Sequence, residues 1–353
     1  MVDNFSTAYP TNTINFLSQF NNKYDFDSIR DHLDNLKNLK VLIVGDGIVD
    51  EYHYCESMGK SAKANLVVNR FLRDEIFAGG VFAIANHVAS LCDEVHLVTL
   101  LGKEKSHENF ISNSLKHNVK SKFFFRDDGP TIVKKRYVDN HSSQKLFEIN
   151  YINDMYINDD LERSVIDYIE PIASKYDLVL VSDFGHGFIT DNIFSTLEKK
   201  SKTLAVNTQT NAANSGYNLI TKYHNPNYVC LDESELRLAA QKKYSDIGEI
   251  AGQIRASLNA QYLVVTMGKN GSLGVNIKGE VNRTPIFSTK VVDTIGAGDA
   301  FFAFTAPCFA QGLPLDLVSF IGNAVGALAV KIVCNKRAIE KKELFDFINT
   351  LVK

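Results

Sequence analysis

Asp293 and Asp299 flank a Gly-Ala-Gly turn in the stretch VVDTIGAGDAFFAF, which runs from Val291 to Phe304. Gly296 and Gly298 can take backbone angles closed to other residues. Their N–H groups, with that of Ala297, can converge on one point. The apolar run after Asp299 reads as a helix whose positive end faces the same point, so the turn suits an anion. A helix cap needs one acid, and here there are two. An anion hole beside a carboxylate suits the removal of a proton from a hydroxyl while that oxygen attacks phosphorus. The N–H groups would neutralise charge on the transferring phosphoryl, and Asp299 would take or orient the hydroxyl proton. The alternative is a loop in which Asp299 is an ordinary N-cap.

Such a turn needs a scaffold. KVLIVGDGIVD reads as a buried strand that runs into Gly45 and Asp46. EVHLVTLLG, YDLVLVSDFG, TLAVNTQ, NYVCLDESE and QYLVVTMG read as strands of the same kind. Segments of helical spacing lie between them, among them GVFAIANHVASL, HENFISNSLKHN, DLERSVIDYIEPIASK and IGEIAGQIRASLN. This alternation predicts a doubly wound, mainly parallel α/β sheet with helices on both faces. Ligands bind such sheets at the strand C-termini, which makes Asp46, Asp50, Asp183, Asn207, Asp232, Glu235, Thr266 and Gly268 the polar residues to read. Two segments, residues 51–78 and about 121–150, read instead as short alternating strands that form a small β lid over that edge. Residues 1–38 are polar and Asn/Asp-rich, and read as an N-terminal helical appendage to a domain at 39–353.

Composition narrows the partners. The 353 residues are 45% hydrophobic, enough for one large domain or two small ones. The net charge of −3 carries no basic excess, which argues against nucleic acid or an acidic membrane as the main partner. None of the five cysteines forms a CxxC pair, so buried thiols and a reducing compartment are expected. The N-terminus lacks a basic region followed by an apolar run, and AFFAFTAPCFA falls short of the ~20 residues that span a bilayer. A soluble cytoplasmic protein is expected.

DTIGAGDAFFAF resembles the C-terminal signature of the PfkB, or ribokinase-like, carbohydrate kinases, and the likeness extends from residue 39 to about 345. Within that family, VLIVGDGIVDEYHYCE, FAGGVFAIANHVASL, TIVKKRYVDNHSSQKLFEIN and LVLVSDFGHGFIT are similar to the heptose 7-phosphate kinase module of ADP-heptose biosynthesis. The resemblance implies an ATP-dependent sugar kinase of a surface-polysaccharide precursor route. Asp299 would be its base, and Gly296, Ala297 and Gly298 its anion hole. TMGKNG would supply Thr266, Gly268 and Gly271 to the nucleotide, with Asn323 near the adenine or else packing its helix. Asp232 and Glu235 would help hold Mg2+, or else cap a helix. Asp50 would grip acceptor hydroxyls, bordered by Asp46, Gly79, Gly80 and Asp293. Lys134 and Arg136 share one strand face and would meet a phosphate on the sugar, or else form a solvated edge. Lids of this family pair between subunits, which implies a homodimer.

Three departures from that pattern involve four positions. Ala83 stands where the family has a sugar-binding Asn, Asn207 and Gln209 replace an acid and a lysine, and Asp232 replaces an Asn. An active kinase with a changed acceptor is one reading. A catalytically silent protein that binds nucleotide or sugar on the same fold is the other.

Overall fold

The computed structural model describes residues 9–288 and 290–352; the reading of positions 1–8 lies outside the described residues. The strands are β1 (Lys40–Gly45), β2 (Gly47–Lys60), β3 (Val67–Gly80), β4 (Glu94–Gly102), β5 (Val119–Arg126), β6 (Ile132–Asp139), β7 (Lys145–Tyr151), β8 (Leu178–Asp183), β9 (Leu204–Thr208), β10 (Tyr228–Asp232), β11 (Tyr262–Thr266), β12 (Ser272–Asn276) and β13 (Val281–Thr284). The α-helices are α1 (Thr11–Asn21), α2 (Phe26–Asn35), α3 (Val81–Val88), α4 (Glu108–Ser114), α5 (Asp159–Ala173), α6 (Asp191–Lys200), α7 (Glu233–Ala240), α8 (Ile247–Ser257), α9 (Ala297–Ala310), α10 (Leu315–Ala329) and α11 (Lys341–Leu351).

The described residues form a nine-stranded sheet in the order β13-β12-β11-β10-β9-β8-β1-β4-β5. It is parallel from β11 to β5, and β12 and β13 extend it antiparallel. Successive residues of the central strands feed opposite layers, as the pleat requires. Val41 and Ile43 of β1, with Leu178 and Leu180 of β8, join a core that includes α3, α9 and α10. Leu42, Val44, Val179 and Val181 join the core under α5, α6 and α8. Two-sided burial is why these strands are unbroken apolar runs. α9 is buried along nearly its whole length, which its continuous apolar sequence demands.

A second sheet, β3-β2-β6-β7, forms the lid. KVLIVGDGIVD is not one strand: it breaks at Asp46, where the chain passes from β1 in the main sheet to β2 in the lid. The lid is narrower than expected, because SKFFFRDD belongs to β5 and pairs parallel with β4. Three consecutive phenylalanines cannot alternate between core and water. At the main-sheet edge Phe124 packs into one helical layer, and Phe123 and Phe125 into the other.

The N-terminal helices are not a separate appendage. Leu17, Phe20, Ile29 and Leu33 are buried in the same core as α9 and α10. The rings of Phe20 and Phe320 stack at 4.0 Å, and Tyr24 donates to Asp316 Oδ1 at 2.9 Å. Among the described residues no helix is long and apolar enough to cross a membrane. The five cysteines are free and buried.

Candidate active site

A cavity of about 700 Å³ opens between the lid and the C-terminal ends of β9, β10 and β11. Its wall brings together residues from distant parts of the chain: Asp50, Lys134 and Arg136 from the lid, Asp232 and Glu235 from β10–α7, Thr266, Gly268 and Gly271 from β11–β12, and Thr294 to Asp299 from the turn before α9.

The turn is built by its glycines. Gly296 precedes α9 with φ 81°, and a Cβ there would overlap the Asn335 amide. Gly298 differs: its φ is ordinary and a Cβ would meet nothing within 4 Å. Only open cavity is kept free by its missing side chain. The first N–H groups of an α-helix have no intrahelical acceptor. That of Ala297 bonds Thr294 O at 3.3 Å, so it is not wholly free for a ligand.

Asp299 follows in the first turn of α9 and is buried. Burial pushes its carboxyl up to about 6; Gln209 and Lys134 act downward and the charge of Asp50 upward. Gln209 Nε2 donates to Asp299 Oδ1 at 2.5 Å. Gln209 stood out in the sequence only as a departure, and its contact with Asp299 spans the fold.

On the lid, Asp50 is buried and ion-paired with Arg136, whose Nε also lies 2.7 Å from Glu148. Arg136 therefore lines the cavity on the same face as Lys134, as the alternation requires, with its charge matched by these two carboxylates. Lys135 points to the other face and pairs with Glu51 at 2.9 Å, as the alternation requires. Lys134 lines the cavity with no ion pair among the described residues. Burial lowers its pKa, while the carboxylates of Asp50 and Asp299 act to raise it.

Three expected acceptor contacts are not in the cavity wall. Asp46 is buried beneath it, where Oδ2 accepts from the N–H groups of Phe184 at 2.8 Å and His186 at 3.4 Å. Burial, with the charge of Asp183, raises its carboxyl to about 7. Asp46 thus joins β1 to the β8 loop. Gly79 lies behind Asp50, and a side chain there would collide with that carboxylate. Asp293 turns away and is fully used by protein donors. Gly80 does line the cavity; its φ of 55° lets β3 turn into α3.

Nucleotide-side residues gather as expected, but not all are free. Gly271 has φ 81° and packs against Thr284 O, where a Cβ cannot fit. Asn323 gives its amide to Ser272 Oγ at 2.5 Å and Ser319 O at 2.8 Å, tying α10 to β12 at the cavity wall. Asp232 and Glu235 form a capping box on α7. Glu235 also accepts from Thr210 N at 2.9 Å. Burial pushes its carboxyl up to about 7, and the charges of Asp232 and Asp299 add to this. Asp232 and Glu235 both line the cavity and offer oxygen donors suited to a hard cation, though among the described residues no group of three or more His, Cys, Asp or Glu side chains is placed to hold a metal ion directly. Ala83 lies outside this cavity, in a smaller one of about 320 Å³ beside α3.

The architecture is that of solved sugar kinases. Phosphofructokinase-2 from Escherichia coli, in complex with potassium, superposes with a TM-score of 0.71 at 16% identity, covering 89% of this chain and 99% of that one. Ribokinase from Thermotoga maritima gives 0.67 at 18% identity, covering 88% and 99%. In sequence, the bifunctional protein HldE of Nitrobacter hamburgensis is 26% identical over 294 residues, 82% of this chain and 60% of that protein. HldE of Bradyrhizobium diazoefficiens is 27% identical over 313 residues, 87% and 62%. The chain thus spans about three fifths of the length of these curated relatives. The family description "pfkB family carbohydrate kinase" matches residues 11–333, from the N-terminal helices through the anion turn and beyond. With that much of the chain accounted for, the protein belongs to the pfkB family of carbohydrate kinases, phosphotransferases that act on an alcohol group.

Proposed function

We propose that the protein transfers the γ-phosphoryl of ATP to a hydroxyl of a sugar phosphate, with a heptose 7-phosphate-like acceptor favoured. The observation that carries this is Asp299: a buried carboxylate in the cavity, at the N-terminus of α9, held near pKa 6 and oriented by Gln209. At neutral pH it is mostly ionised yet close to the point of proton uptake, as a general base should be.

The acceptor hydroxyl lies between Asp50 and Asp299. Asp50 spends part of its acceptor capacity on Arg136 and keeps the rest for a hydroxyl. Asp299 accepts the proton as the oxygen attacks. The open N-terminus of α9 at Gly298 faces the phosphoryl oxygens, and Lys134 offsets charge nearby. Thr266, Gly268 and Gly271 border the nucleotide. Asp232 and Glu235 would hold Mg2+ through water, and the ion would supply charge neutralisation on the phosphates. The lid keeps water from the γ-phosphorus.

Lys134, a cavity cation without an ion pair, supports an acceptor that already carries a phosphate. The HldE relatives and the heptose-kinase-like segments support a heptose and a surface-polysaccharide precursor route. Exposed Phe71, Leu146 and Phe147 on lid strands β3 and β7 support pairing with a second copy through the lid.

The test is ATP consumption over a panel of free and phosphorylated heptoses, hexoses, pentoses and nucleosides. Turnover of phosphorylated sugars, lost in Asp299→Asn with ATP binding retained, is expected. Nucleotide binding without turnover of any acceptor refutes the proposal in favour of a binding protein.

A further inference from the structure

Asp293 is the most fully engaged carboxylate near the cavity. Oδ1 accepts from Lys145 Nζ at 2.7 Å and from Ile295 N at 3.1 Å. Oδ2 accepts from Tyr52 OH at 2.9 Å and from Cys334 N at 3.1 Å. Two of these donors, Tyr52 on β2 and Lys145 on β7, belong to the lid. The Ile295 N–H belongs to the turn that leads into Gly296 and Asp299. One carboxylate therefore joins two lid strands to the anion turn.

The surroundings reinforce the junction. Tyr52, Phe77 and Val138 of the lid form an apolar cluster that also takes in Ile295. Val138 is the register partner of Lys145 across β6–β7, so the apolar and charged contacts act at one point of the lid. The Lys145 ammonium also lies 5.8 Å from the centre of the Tyr52 ring. β7 ends the lid sheet with every residue exposed, held to β6 by the strand ladder, the stacking of Phe147 on Tyr137 and the Glu148–Arg136 pair, so Lys145 is its contact with the turn before α9. The same β6–β7 ribbon presents Lys134 and Arg136 to the cavity, with Arg136 opposite Glu148 of β7.

We propose that Lys145 is a positioning residue for phosphoryl transfer: by bonding Asp293 it locks the lid onto the anion turn, so that Gly296 to Asp299 are set for chemistry only with the lid closed. The chemical part rests on the kinase reading above; the geometric part does not. Release of Lys145 removes a charge-assisted hydrogen bond from a carboxylate that also holds the Ile295 N–H, and the turn loosens.

Hydrogen exchange on the full chain tests this, with wild type, Lys145→Met, Lys145→Arg and Tyr52→Phe. The amides of Ile295 and Ala297, which are hydrogen-bonded within the turn, should exchange about tenfold faster in Lys145→Met, while those of β1 are unchanged, and Lys145→Arg should restore slow exchange. Tyr52→Phe should loosen the same amides. In parallel, Lys145→Met should lower kcat with little change in the KM for ATP, and raise acceptor-free ATP hydrolysis relative to transfer. Unchanged exchange at Ile295 and Ala297, or equal acceleration at β1, overturns the latch. A wild type that transfers nothing overturns the kinase reading instead, and the exchange comparison still decides the latch.

Discussion

Replacing Gln209 by Met removes the hydrogen bond to Asp299 Oδ1 while nearly preserving side-chain volume. A hydrogen bond to a charged group is worth about 1.5–3 kcal/mol. At 1.36 kcal/mol per unit, its loss should raise the Asp299 pKa by about 1–2 units. The starting value is about 6. The acid limb of kcat/KM should therefore move from near 6 to about 7–8. At pH 7 the ionised fraction falls from about nine tenths to between about half and a tenth, so the rate drops roughly two- to tenfold. Above about pH 9 most of the rate returns, because the carboxylate is then ionised in both proteins. The assay is a pH–rate profile of phosphoryl transfer at saturating ATP. A limb that stays near 6, or a loss of equal size at every pH, refutes the idea that Gln209 tunes the base.

Asp299 also predicts a stability effect. Its folded pKa of about 6 lies above the ordinary 3.8, so its contribution is greatest below about pH 4 and is lost as pH rises through 6. Asp299→Asn should therefore be more stable than wild type at pH 8, by at most about 3 kcal/mol, with the difference vanishing near pH 4 in denaturant titrations; equal stability at pH 8 contradicts the shift. Gly298→Ala should leave the melting temperature unchanged or slightly raised, since its Cβ meets open space, yet lower kcat about tenfold or more by crowding the phosphoryl site. A loss of stability there would mean that the glycine serves the fold. Lys134→Met should raise KM for a phosphorylated acceptor about tenfold and for a free sugar much less; equal effects remove the phosphate-reading role.

Much of the scaffold was legible because two-sided burial writes itself as continuous apolar runs. The six strands read in this way fall in the main sheet, although KVLIVGDGIVD hides a change of sheet at Asp46. The lid was legible as alternating strands, but Phe123 to Phe125 lie in β5 of the main sheet, because three consecutive aromatic rings need burial on both faces. β12 and β13 leave no such signature, because Ser272, Asn276, Asn282 and Arg283 interrupt their apolar residues. The N-terminal helices look peripheral by composition, and only tertiary contacts, such as the burial of Leu17, Ile29 and Leu33 and the stacking of Phe20 on Phe320, place them in the core.

By itself the sequence specified the glycine-rich turn before α9. Glycines and an acid at fixed spacing build an anion turn locally, and local geometry is what adjacent residues can specify. The tertiary structure decided how the charges around that turn are used. Asp46 and Asp293 look as available as Asp50 in a linear chain, yet one ties β1 to β8 and the other ties the lid to the turn. Arg136 is matched by Asp50 and Glu148 while Lys134, two residues away, is not. Whether a charge is spent or free depends on distant partners, 241 residues apart for Tyr52 and Asp293, and no spacing rule reaches that far.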